Sequence, residues 1–136
     1  MIPALLVPVN SFSDEDSAEA PVFDPTRLKV LMELEDEGDH TMIKDIAQQF
    51  LEDITLVMTR LEPAIYAGDF AQVSSAAHTI KGSCATFGLY QVEKFARQLE
   101  ACAKGGGKTD AVQIYDSLRS SFTKGSEALT AYLATK

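Results

Sequence analysis

Residues 70–88 read FAQVSSAAHTIKGSCATFG. Phe70, Val73, Ala77, Ile80, Cys84 and Phe87 recur at intervals of three and four. That is the period of one helix face, whereas a half-buried strand alternates at two. The punctuation agrees. Gly68 ends the element before, and Asp69 begins this one with Gln72 at the capping-box position. Gly88 then closes it. An amphipathic helix of this length needs other apolar faces to pack against.

Working outward, the same period recurs on both sides. Upstream, Ile43, Ile46, Phe50, Ile54, Val57, Met58, Leu61 and Ile65 form a stripe over six turns. Pro63 has no amide to bond Thr59, which predicts a bend near the end of that helix. Earlier still, Asp24-Pro25 supplies a cap and a first-turn proline for a short helix running to about Asp36. Gly38 ends it and Asp39 caps the next. Downstream, Val92, Phe95, Ala96, Leu99, Cys102 and Ala103 mark a fourth helix that stops at Gly105-Gly106-Gly107. Ala111, Tyr115, Leu118, Phe122, Leu129 and Leu133 mark a fifth, from about Thr109. No segment alternates like a strand for long, and no solenoid repeat is visible. The pattern predicts an all-α protein, an antiparallel up-down four-helix bundle with a short extra N-terminal helix.

Composition fits one such domain. The chain has 136 residues, 46% of them hydrophobic, and carries a net charge of −8. Nucleic-acid backbones are poor partners for that charge, because binding them takes clustered Lys and Arg. Residues 1–22 hold Asp14, Glu15, Asp16 and Glu19 and no base, without periodicity, and are expected to form a flexible acidic arm. Residues 23–136 are expected to form the bundle and are only mildly acidic. Met1 to Val9 is apolar but too short to span a bilayer, and it lacks the basic start of a signal peptide. No membrane association and a cytoplasmic location follow as expectations. Cys84 and Cys102 fall on apolar faces with no metal-ligand spacing, so both are expected to be reduced core residues and no metal site is assigned.

His78 stands off the stripe. On a wheel of about 100° per residue it points about 130° from the apolar centre. Its face is shared with Ala71, Ser74, Ser75, Lys81, Gly82 and Ala85, at distances of three, four and seven. Solvated faces normally carry long charged side chains, yet this one is stripped to leave an imidazole with one ammonium a turn away. Gly82 costs about 1 kcal/mol relative to Ala inside a helix. A simple helix break does not explain it, because the stripe continues through Cys84 and Phe87. Close approach of a partner does. There is no triad, since this face has no paired Ser or Cys nucleophile and no orienting acid. His40, the other histidine, lies in another helix's first turn and is expected to be exposed. A neutral imidazole is itself a nucleophile. Phosphoryl transfer asks for little beyond in-line positioning and charge stabilisation, part of which Lys81 can supply.

The run His78-Thr79-Ile80-Lys81-Gly82-Ser83-Cys84, followed by Phe87-Gly88, resembles the motif of histidine-containing phosphotransfer (HPt) domains of multistep two-component relays. Ala76-Ala77 before it, Phe95-Ala96-Arg97-Gln98-Leu99-Glu100 after it and the turn Ala67-Gly68-Asp69-Phe70 also look like that family. The resemblance covers roughly residues 23–134. It implies a phosphoryl carrier that receives the group from an aspartyl phosphate on one receiver domain and passes it to an aspartate on another. The receivers would belong to a hybrid histidine kinase and a response regulator. By the same resemblance His78 is the phosphorylated residue, Lys81 balances phosphate charge and Gly82 permits docking. Ser83 lies on the flank. Mg²⁺ would come with the partner, and no intrinsic cofactor or ATP-binding or hydrolytic site is implied. Glu100 sits where many relatives bring a polar residue to the site. An acid helps a phosphate carrier there only by orienting the imidazole, and sequence alone gives it no role.

Two other functions share these features. One is the phosphotransfer domain of a chemotaxis-type histidine kinase. A dimerisation-type kinase helix fits less well, because it usually places an acid after the His, where this chain has Thr79. The other is a docking module that binds receivers without carrying phosphate, which the presence of His78 and Lys81 disfavours. The Met start and complete bundle lead us to expect a free-standing protein, and the open face a monomer. Gly105-Gly106-Gly107-Lys108-Thr109 is not a phosphate-binding loop, since the pattern needs Gly where Cys102 stands and no strand precedes it.

Overall fold

The computed structural model describes residues 20–35, 38–105 and 107–136. Among them are five helices: α1 (Thr26–Glu33), α2 (Thr41–Ala67), α3 (Phe70–Thr86), α4 (Tyr90–Gly105) and α5 (Lys108–Ala134). α2 packs on α3, α3 on α4, α4 on α5, and α5 closes the ring on α2. Short turns make successive helices antiparallel, as the four long stripes require. α2 stays helical through Pro63 and ends at Gly68, whose left-handed backbone (φ 74°) stops it. The next helix starts where it was expected, with the Asp69 side chain accepting from the Gln72 amide at 3.2 Å.

The lengths explain the architecture. α2 and α5 have 27 residues each, about 40 Å at 1.5 Å per residue. α3 and α4 have 17 and 16. The α3–α4 turn therefore falls partway along the longer pair, and the start of α2 and the end of α5 project past it. Phe87 at that turn stacks on Phe50 of α2, ring centres 4.3 Å apart. Gly125 of α5 meets Leu89 there, so closely that an added Cβ would lie 2.9 Å from the leucine side chain. The projecting ends are covered by α1 through Leu28 and Met32, and by Phe23, which lies against the Tyr132 ring. Eight residues are too few for an isolated helix in water, so α1 exists because those side chains are buried. Fully burying one leucine contributes about 2 kcal/mol.

Several sequence expectations shift. α1 ends at Glu33, short of Asp36, and Asp36, Glu37 and Gly106 lie outside the described residues. Ile46 is exposed and Ala47 takes its place in the core, because a 3.6-residue helix shifts the buried side by a residue over several turns. Residues 1–19 of the expected arm also lie outside the described residues. Residues 20–22 do not behave as an arm: Ala20 is buried, and the Pro21 carbonyl accepts from the Gln91 amide at 2.9 Å. That amide is in the first turn of α4, where backbone donors lack helical partners. Among the described residues, packing against the bundle thus includes residues 20–22 as well as those from 23 on. Gly88, with φ 81°, lies so close to the Asp24 carbonyl that a side chain there would collide with it, and its own carbonyl accepts from the Asp24 amide at 2.9 Å.

Candidate functional site

His78 sits in the middle of α3 with 70% of its side chain exposed, as the wheel predicts. Its Nδ1 lies 3.3 Å from Oε2 of Glu100 on α4. The other carboxylate oxygen, Oε1, accepts from Lys81 Nζ at 2.8 Å. One carboxylate thus bridges the imidazole and the ammonium across the α3–α4 seam. Antiparallel packing produces this: residues 78 and 81 lie ten and seven positions before the Gly88 turn, and residue 100 twelve after it. Glu100 and Lys81 are 18% and 27% exposed, so the bridge lies at the floor of the face while the ring stands above it. The hydrogen bond from Lys81 holds the Glu100 carboxyl below its ordinary range. Burial opposes this, and the charges of Lys81 and His78 add to it.

The neighbours divide. Ala71, Ser75 and Gly82 are exposed around the ring, and Ser74 and Ala85 are half-buried at its edge. Apart from its own helix backbone and chain neighbours, no described atom lies within 4 Å of where a Gly82 Cβ would be, so packing among the described residues does not require glycine there. Ser83 is five positions from His78, about 140° around the helix, and does not share its face. The hydroxyl of Thr79 is turned back to the Ser75 carbonyl at 3.2 Å.

Glu100 is the participant that sequence reasoning left without a role. Its spacing was a signal, but only the packing of α4 on α3 shows which oxygen meets which nitrogen. His40 departs from expectation too. It is largely buried, its Nδ1 3.2 Å from Glu35 Oε1, where it ties the α1–α2 connection. It borders a cleft of about 500 Å³ lined by Lys29, Met32, Tyr132 and Lys136 among others. No residue of α3 or α4 lines that cleft, so its volume has no bearing on His78. Cys84 is buried and its thiol is pushed up by that burial. Cys102 is half-buried, its thiol also raised by burial, and both are free. Among the described residues no three His, Cys, Asp or Glu side chains cluster as metal ligands, and no helix is long and apolar enough to cross a membrane.

Fold and site together define a helical bundle that holds one imidazole out to solvent beside a carboxylate. The chain belongs to the Hpt domain family, whose model matches residues 45–134. It is similar to multistep phosphorelay regulator 1 of Schizosaccharomyces pombe, 29% identical over 90 residues that make up 66% of this chain and 30% of that protein. It is also similar to pseudo histidine-containing phosphotransfer protein 2 of Oryza sativa subsp. japonica, 29% identical over 85 residues, 54% of this chain and 56% of that one. The chain therefore spans less than a third of one relative and just over half of the other. Among solved structures, histidine-containing phosphotransfer protein B of Pseudomonas aeruginosa PAO1 superposes with a TM-score of 0.76 at 20% identity, over 87% of this chain and 99% of that one. The maize protein ZmHP2 gives 0.71 at 19% identity, over 96% of each chain. These likenesses show the fold.

Proposed function

We propose that this chain is a phosphorelay intermediate that accepts a phosphoryl group on His78 from a receiver-domain aspartate and returns it to another. The observation that carries the reading is the Glu100 bridge. A carboxylate beside Nδ1 favours the tautomer with the proton there, and leaves the Nε2 lone pair pointing outward. Nε2 attacks the phosphorus of an aspartyl phosphate. The N–P bond forms as the P–O bond to the carboxyl breaks, and the electron pair leaves as aspartate carboxylate. The ring keeps its Nδ1 proton and becomes cationic, and Glu100 at 3.3 Å balances that charge. Lys81 faces the incoming phosphate, and the second transfer runs the same steps backward. Mg²⁺ and the acidic pocket belong to the receiver.

The receivers of a hybrid kinase and of a response regulator are the partners this chemistry calls for, and a monomer leaves the face open to each in turn. The test is to mix the protein with a phosphorylated receiver domain and Mg²⁺, and to follow acid-labile, base-stable label. Wild type should be labelled and His78→Gln should not. Label retained by His78→Gln refutes the site, and wild type left unlabelled by every cognate receiver refutes the function.

A further inference from the structure

The cleft beside His40 takes no part in the chemistry of His78, since no residue of α3 or α4 lines it. Met32 of α1 and Tyr132 of α5 are among its walls, and Lys29 and Lys136 bring ammonium groups to it. Its volume of about 500 Å³ falls within the range of ligand pockets, roughly 300–1,000 Å³. The charges around it are unevenly matched. The Glu35 carboxylate is engaged by His40 at 3.2 Å. Lys136 Nζ lies over the Tyr132 ring, 4.8 Å from its centre. Among the described residues neither Lys136 nor Lys29 forms an ion pair with a carboxylate. Two ammoniums therefore stand against one further acid, Glu33, on a chain whose net charge is −8.

The chain itself holds a segment of matching chemistry. Asp14, Glu15, Asp16 and Glu19 precede Ala20, with no Lys or Arg in residues 1–22. Before them Ile2-Pro3-Ala4-Leu5-Leu6-Val7-Pro8-Val9 is wholly apolar. Pro3 and Pro8 oppose a helix there and favour extended chain. We propose that residues 2–9 dock in the cleft beside His40, and that the acids at 14–19 lie along Lys29 and Lys136. Burial of aliphatic side chains against Met32 and Tyr132 supplies the attraction. The charges set the direction of the segment, since exposed pairs add little stability. Three observations favour this occupant. The described chain starts beside the cleft: Ala20 is three residues from Phe23, at most about 10 Å of chain, and the Phe23 ring centre lies 5.6 Å from that of Tyr132. The reach suffices, because Val9 is eleven residues before Ala20, up to about 36 Å of extended chain. The charges are opposite, and the tether makes docking intramolecular, which favours it over a separate partner of equal chemistry. The proposal stands apart from the reading of His78, because the cleft shares no residue with that face.

The test places a nitroxide spin label at position 9 of the full chain, through Val9→Cys in a Cys102→Ser background. Cys84 is buried and stays unlabelled, and a serine hydroxyl can keep the hydrogen bond that Cys102 donates to the Gly107 carbonyl. In NMR spectra the amide signals of Met32, His40 and Tyr132 should be lost to the label, while those of Ala77 and Leu99 remain. Lys29→Glu/Lys136→Glu should recover part of the lost signal. A second measurement needs no cysteine change: Leu5→Asp/Leu6→Asp should shift the amide signals of His40 and Tyr132 and leave that of His78 in place. Signals kept at Met32, His40 and Tyr132 overturn the proposal, and so does a loss spread evenly over the bundle. A loss that arises only between a labelled molecule and an unlabelled one makes a second copy the occupant and also overturns it. Leu5→Asp/Leu6→Asp without a shift at His40 and Tyr132 overturns it whatever the label shows.

Discussion

Glu100→Gln separates orientation of the imidazole from its mere presence. The substitution keeps shape and removes the charge that faces both His78 Nδ1 and Lys81 Nζ. At 3.3 Å, a unit pair is worth about 1.3 kcal/mol in bulk water and about 5 kcal/mol at an effective dielectric of 20. The ring is 70% exposed, so the lower figure governs. Lys81, freed of its partner, adds like-charge repulsion against the cationic ring formed during transfer, and solvent screens part of that. The loss of transition-state stabilisation is about 1–2 kcal/mol, a five- to thirtyfold fall in kcat/KM. Folding should change by no more than about 1 kcal/mol, because the pair, though mostly covered, borders solvent at the helix seam, where ion pairs contribute little. Rapid-mixing transfer from a phosphorylated receiver reads the rate, and a urea melt reads the stability. Glu100→Gln within twofold of wild type in kcat/KM would refute the orienting role. A rate loss matched by a loss of folded protein would refute it too.

Other outcomes follow from the same geometry. Gly82→Ala should stabilise the protein by about 0.5–1 kcal/mol, because the added methyl meets open space. Gly82→Arg should fold as well as wild type yet slow receiver transfer more than tenfold; a loss of folding in either variant would contradict the close-approach reading. Gly88→Ala should cost at least about 2 kcal/mol in a denaturant titration, from its positive φ and the clash with the Asp24 carbonyl, and a neutral result would refute that account. Acid should weaken the Glu100 bridge. Its carboxyl is held below the ordinary range in the folded state, chiefly by the Lys81 hydrogen bond. The stability it adds is therefore complete above the unfolded value of about 4.3 and is lost as pH falls through the lower folded value. The stability difference between wild type and Glu100→Gln should be flat at neutral pH and shrink below pH of about 4; a difference that grows on acidification would show the sign to be wrong.

The four long helices were legible because each obeys a local rule. Their stripes keep the helical period, and Gly68, Gly88 and Asp69 stand where backbone geometry needs them. The exposure of His78 was legible for the same reason, since a wheel drawn for α3 alone suffices. What the wheel could not supply is anything between helices. Ala20–Val22 looked like arm because three residues have no period, and their packing depends on the Gln91 amide at the start of α4, which donates to the Pro21 carbonyl. His40 looked like a surface group because its burial depends on Glu35 across a turn.

Glu100 marks the same boundary at the place where it matters most. Within α4 it is one more polar residue beside a buried leucine. Its chemistry arises from the pairing of two antiparallel helices, which sets a carboxylate under one nitrogen of a ring that another helix holds out to solvent. An imidazole on a bare helix offers either nitrogen and keeps no fixed orientation, whereas one tied at Nδ1 offers Nε2 alone. The bundle therefore contributes more than a rigid support for His78. By packing α4 on α3 it sets a carboxylate beside Nδ1 of the histidine, and the small residues of α3 leave the ring standing in solvent.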